Sequence, residues 1–204
     1  GAGNLVSAVS VAGTSAINTT SITTTTTQQY SGAVTLGANT TLNGTGITFV
    51  SVVNADLAAS DRTLTVNGSV ATTFGGAVGT TQSLLSVTTD AAGTVAINGG
   101  AVTTSGAQTY NDPLTLGAAT SFTGTTVTFN GTVTGGTNSL SITGNAVFGD
   151  AAGDTVTGVT TLSVSGISTI NTVTMTTTTG GQTYTGAVTL GTDVTFTGNA
   201  TTLV

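Results

Sequence analysis

The chain has 204 residues, 37% of them hydrophobic, but only 4% are charged: seven Asp and Arg62, with no Lys, Glu or His, for a formal net charge of −6. Without a basic cluster there is nothing to displace counterions from a phosphate backbone or to hold anionic lipid, which excludes nucleic-acid binding and electrostatic membrane attachment. No apolar run approaches the roughly 20 residues of a membrane helix, and the missing His, Glu and Lys leave general acid–base catalysis almost no side chains to use, so the chain reads as neither an enzyme nor a cofactor protein.

Thr, Ser, Asn and Gly must form the surface. Thr suits strands and Gly, Asn and Ser suit tight turns, whereas Glu, Lys and Arg, which favour helix, are nearly absent. A disordered linker would share this polar bias, but the mean hydropathy of +0.38 and the regular placement of Val, Leu, Ile and Phe give the chain apolar surface to bury. With no cysteine, disulfides play no part.

In chain order, Gly1-Ala2-Gly3-Asn4 opens inside a repetitive pattern. Ala16-Ile17-Asn18 is followed by the run Thr23–Thr27 and then by Gln29-Tyr30-Ser31-Gly32-Ala33-Val34-Thr35-Leu36-Gly37. Leu42-Asn43-Gly44 and Ile47-Thr48-Phe49 come next, then a less Thr-rich stretch with Asp56, Asp61 and Arg62, then Leu64-Thr65-Val66-Asn67-Gly68 and Thr73-Phe74-Gly75. The series begins again at Ala96-Ile97-Asn98 and continues through Gln108-Thr109-Tyr110, Leu114-Thr115-Leu116-Gly117, Phe122-Thr123-Gly124, Val127-Thr128-Phe129, Leu140-Ser141-Ile142 and Val147-Phe148-Gly149. A third copy opens with Thr169-Ile170-Asn171 and Gln182-Thr183-Tyr184, then fades through Phe196-Thr197-Gly198 and Thr202-Leu203.

The unit is therefore about 75 to 80 residues, with copies at approximately 5–83, 84–160 and an incomplete 161–204, in one continuous body over 1–204. Apolar residues alternate within short segments punctuated by Gly or Asn, the pattern of short strands with one buried face. Asn43-Gly44, Asn67-Gly68, Asn98-Gly99 and Asn130-Gly131 would also suit hairpin turns of a β-sandwich. A solenoid fits better, because the segments are very short, insertions of several residues are tolerated, and charged edge protection is missing. The expected fold is all-β, a right-handed parallel β-helix with no true helix. At about 20 residues per coil it would make roughly four coils per unit, roughly ten in all, in a body about 48 Å long. Neither end reads as a cap, so neighbouring repeats or copies of the chain stacked end to end are the expected partners.

The string Gln-Thr-Tyr, then Val-Thr-Leu-Gly, Leu/Phe-x-Gly and Val-Thr-Phe, preceded by Ala-Ile-Asn, resembles the repeats of filamentous-haemagglutinin-like exoproteins and related bacterial β-strand-repeat adhesins. That resemblance implies export to the extracellular space or bacterial cell surface, a right-handed parallel β-helix, and a role as a stalk, adhesin or matrix fibre able to meet host or matrix glycan or protein.

Few residues are candidates for chemistry. Asp150 and Asp154 offer oxygen ligands of the type Ca²⁺ takes, though without the Gly-Gly-x-Gly-x-Asp repeat of calcium coils; the simpler expectation is a solvated turn. Asp56, Asp61 and Arg62 are expected in a protruding loop with a surface ion pair. Tyr30, Tyr110 and Tyr184 recur at a structural period and are expected to pack over a coil corner, with an exposed glycan platform as the alternative. Pro113, where other units have Ala33 and Ala187, should donate no ladder hydrogen bond. The runs Thr23–Thr27 and Thr176–Thr179 are expected to be solvating surface, tolerant of change; unequal unit lengths argue against an ice-type Thr array. The Asn-x-Thr/Ser sequons at Asn18, Asn39, Asn43, Asn67, Asn130 and Asn199 follow from composition and matter only in a glycosylating host.

Overall fold

The computed structural model describes residues 6–57, 62–151 and 153–204. These residues form 22 strands and no helix. Every pairing among the described strands is parallel, and the chain winds into a β-solenoid of about 10 turns. Alternation decides which side chains enter it. In Val34–Leu36, Leu114–Leu116 and the end of Thr120–Phe129, the apolar residues are buried and the intervening Thr is not. The resulting core runs continuously from Ile17 to Tyr184.

Three faces make up each turn. The first stacks residues 9–11, 28–30, 47–49, 72–74, 95–97, 114–116, 133–134 and 156–157. The second stacks 15–17, 34–36, 53–55, Val78, Val102, 121–123, 140–142, 162–164, 182–184 and 201–203. The third stacks 21–23, 41–43, 64–66, 87–89, 108–109, 127–129, 146–148, 168–170 and 188–190.

Two sequence expectations need correction. Not every strand is short: Thr63–Phe74 and Val133–Phe148 have 12 and 16 residues, because the chain stays paired while it bends around a corner. Asn43-Gly44 and Asn67-Gly68 lie at such a bend and pair in parallel with each other, so they are not hairpin turns.

The unit is also not four whole turns. Tyr30, Phe49, Phe74, Ile97 and Leu116 form one column, four turns from end to end. Tyr110, the repeat equivalent of Tyr30, lies six residues before Leu116, on the third face, where it stacks with Phe129, Phe148, Ile170 and Leu190. Tyr184 again lies six residues before the fourth-turn partner, Leu190, and falls on the second face. Each unit thus advances four turns less one face, so its features spiral around the body.

Inter-turn hydrogen bonds explain how unequal turns keep register. Phe49 follows Tyr30 by 19 residues and Phe74 follows Phe49 by 25, yet both steps are in register, because extra residues leave the ladder at corners. The aromatic column shows the result: ring centroids are 5.5 Å apart for Tyr30–Phe49 and 5.4 Å for Phe49–Phe74, both stacked. Tyr110–Phe129 and Phe129–Phe148 repeat the geometry at 5.6 Å each.

Pro113 is consistent with this scheme. Its carbonyl accepts Val95 N–H at 2.9 Å, as Ala33 and Ala187 carbonyls accept Ser15 and Ser168 N–H, so this site uses only the acceptor that Pro retains.

Leu116 and Phe129 are each 1% exposed within these columns. Replacing either by Asp places an unpaired carboxylate in the apolar core and is expected to abolish the β-sheet circular dichroism signal, whereas Thr115→Ser on the outer surface leaves it unchanged.

Candidate functional site

The most repeated local arrangement is a buried polar group at one corner per unit. In the second unit Tyr110 Oη donates to Gln108 Oε1 at 2.9 Å, and Gln108 Nε2 donates to Val102 O at 3.2 Å, Thr123 O at 2.9 Å and Thr104 Oγ1 at 3.2 Å. The first unit repeats it with Tyr30, Gln28, Ile22 O and Asn43 O, and the third with Tyr184, Gln182, Met175 O and Thr197 O. Each Gln amide therefore ties a carbonyl of its own turn to one 15 residues later, in the next turn. At these corners the glutamine satisfies backbone acceptors that would otherwise be buried without a donor.

A threonine completes each corner. Thr24, Thr104 and Thr177 are buried, and their hydroxyls donate to Thr26 O, Gly106 O and Gly180 O respectively. Thr24 and Thr177 belong to the two Thr runs, which correct the expectation that these runs are surface throughout: Thr176, Thr178 and Thr179 are at least partly exposed, but Thr177 is a corner residue. A second repeated contact lies where Asn18, Asn98 and Asn171 sit one turn below Gly37, Gly117 and Gly191. A Cβ at any of these glycines would fall on the asparagine Oδ1.

The three tyrosines lie inside the core, not over a corner, and cannot serve as an exposed sugar platform. Burial pushes the Tyr30 hydroxyl up to about 12 and raises those of Tyr110 and Tyr184 further. They remain neutral donors. Gln108 and Gln182 stand in the repeat string without an expected role, and in the first unit the buried glutamine is Gln28, two residues before Tyr30, and not the adjacent Gln29. A polar residue at an inward position of the alternation was the available signal.

The weak metal candidates are a turn. Asp154 Oδ2 accepts Asp150 N–H at 3.2 Å and Ala151 N–H at 3.0 Å, so it caps its own loop, and Asp150 is exposed. Among the described residues, no three side chains of His, Cys, Asp or Glu converge as metal ligands. The ion pair is present between Asp56 and Arg62, bidentate at 2.8 and 3.1 Å, and the guanidinium lowers the Asp56 carboxyl. Asp61 lies outside the described residues.

The outer Thr ladder of the third face is more regular than unequal turn lengths suggest. Thr41, Thr65, Thr88, Thr109 and Thr128 stack in register, and after Val147 come Thr169 and Thr189. The rank beside it changes, from Thr63 to Ser86 and from Thr126 to Asn145, so the ladder is one residue wide and not a two-dimensional array.

One ionisable group is unlike the rest. Asp112 occupies the corner position held by Gly32 and Gly186 in the other units and is 1% exposed; neither carboxylate oxygen makes a hydrogen bond of normal geometry, and the Thr89 hydroxyl is the donor beside it. Burial pushes it up to about 6; the nearby Thr89 hydroxyl opposes that shift and the Asp90 charge adds to it. No family model, curated protein or solved structure matches the chain.

Two expectations follow. Tyr110→Phe removes the donor to Gln108 and should cost about 1–2 kcal/mol in urea unfolding, while Gln108→Ala orphans the Tyr hydroxyl and two carbonyls and should cost more, about 3–5 kcal/mol. For Asp112, a folded value raised above the ordinary 3.8 means that the native state favours the protonated form. In chelator-treated buffer, wild type should therefore gain stability relative to Asp112→Asn as pH falls through about 6, the gain being complete below about 4 and at most about 3 kcal/mol.

Proposed function

We propose that the chain is a structural stalk or fibre segment of a secreted or cell-surface bacterial adhesin, supplying length and stiffness. The observation that supports this most is the three-face parallel ladder of the described residues, in which successive turns pair on each face and one corner of each unit is locked by a buried Gln and Thr. Such a body resists bending because bending must break ladder bonds on one face. At about 4.8 Å per turn it extends for about 48 Å. A sparsely charged, Thr- and Asn-rich exterior suits a spacer that should hold little attraction for charged partners. The repeat pattern's likeness to filamentous-haemagglutinin-type exoproteins is the source of the adhesin context and of the extracellular location. Segments of this kind joined end to end would continue the same ladder and form filaments.

A glycan array and small-angle scattering on the purified chain test the proposal together. A rod-like scattering profile without saturable glycan binding is expected. Saturable, sugar-specific binding would instead make the chain a recognition module, and a compact isotropic profile would remove the spacer role altogether.

A further inference from the structure

Asp112 departs from its repeat equivalents in a way that the corner accommodates. At Gly32 and Gly186 a Cβ would collide with the backbone of the turn below, at Gly13 and Gly166 respectively. At Asp112 the turn below carries a longer corner, residues 90–94 between Thr89 and Val95, where the Asp112 turn itself needs only 111–113. The longer corner carries Gly93 at φ +112°. Above it, Gly131 lies so close that a Cβ there would sit 3.0 Å from the Asp112 backbone carbon. Asn111 and Asn130 fasten the same corner, through Asn111 Nδ2 to Thr89 O at 2.6 Å and Asn130 Nδ2 to Asn111 Oδ1 at 2.7 Å.

Inside this enclosure both Asp112 oxygens and Asp90 Oδ1 are buried and make no hydrogen bond of normal geometry. An enclosed carboxylate with one neighbouring hydroxyl, that of Thr89, and no cation beside it is costly, and a positive charge would relieve that cost. The chain itself has little to offer: it contains no Lys or His, and its single Arg62 is paired with Asp56. We propose that Asp112 and Asp90 hold a hard divalent cation of the calcium class between two successive turns. Asp112 supplies two oxygens and the half-buried Asp90, whose charge acts on Asp112, supplies a third, with water completing the shell. Oxygen-only donors in a chain without Cys or His favour calcium over transition metals. Bound there, the ion would clamp one turn to the next where the 90–94 corner faces the shorter 111–113 corner.

The test is thermal unfolding of the whole chain at pH 7.5, after chelator treatment, with and without millimolar CaCl₂. The expected result is a rise in Tm of about 5 °C for wild type. Asp112→Asn, and Asp112→Gly, which restores the residue of the other units, should abolish the rise, and Asp90→Asn should reduce it; circular dichroism confirms that each variant is folded. No calcium-dependent rise in wild type, or an equal rise in the folded Asp112 variants, would overturn the proposal. Stabilisation by acid alone, with none by CaCl₂, would identify the occupant as a proton and overturn it equally.

Discussion

The backbone hydrogen bonds between successive turns govern this molecule. A parallel ladder admits no slippage without turning inward side chains outward, because side chains alternate from one residue to the next. The strand parts of each turn are therefore fixed in length, and all variation is forced to the corners. This is why turns of 19 and 25 residues can stack in register, and why every unusual residue, whether Gln108, Thr104, Asn98 or Asp112, is found at or beside a corner.

Corners carry a polar problem that strands do not. Where the chain turns, carbonyls leave the ladder while still facing the interior, and the solution is a buried side chain. Gln28, Gln108 and Gln182 solve it in the same manner in three units, each bridging a carbonyl of its own turn to one in the next and each with a Tyr that completes the glutamine's own hydrogen bonding. Because a unit advances four turns less one face, these locks lie on three different faces in succession. The locks are thereby distributed around the body and not along one side.

Much of this was legible in the sequence. The alternation in Val34-Thr35-Leu36 and the recurrence of Tyr30, Tyr110 and Tyr184 gave an all-β repeat of stacked turns and a core made of the right residues. Other features were hidden for physical reasons. Spacing along the chain measures contour length, not rotation, so an 80-residue interval looked like four whole turns when it is one face short. The Thr runs looked uniform because composition does not say which hydroxyl points inward at a bend, and Thr177 does so while Thr178 does not. The burial of Asp112 depends on the longer corner one turn below, a contact between residues more than 17 positions apart. Asp150 and Asp154 drew attention by adjacency alone, and one merely caps the turn of the other.

The rotation of the unit is the claim on which this account stands or falls, and backbone nuclear Overhauser contacts of Ala96 test it most directly. Ala96 is the repeat equivalent of Ala16, which lies on the second face beside Thr35. The account predicts contacts from Ala96 to Thr73 one turn below and Thr115 one turn above, on the first face. Contacts placing Ala96 between Gly79 and Thr123 on the second face, or beside any antiparallel neighbour, would contradict it.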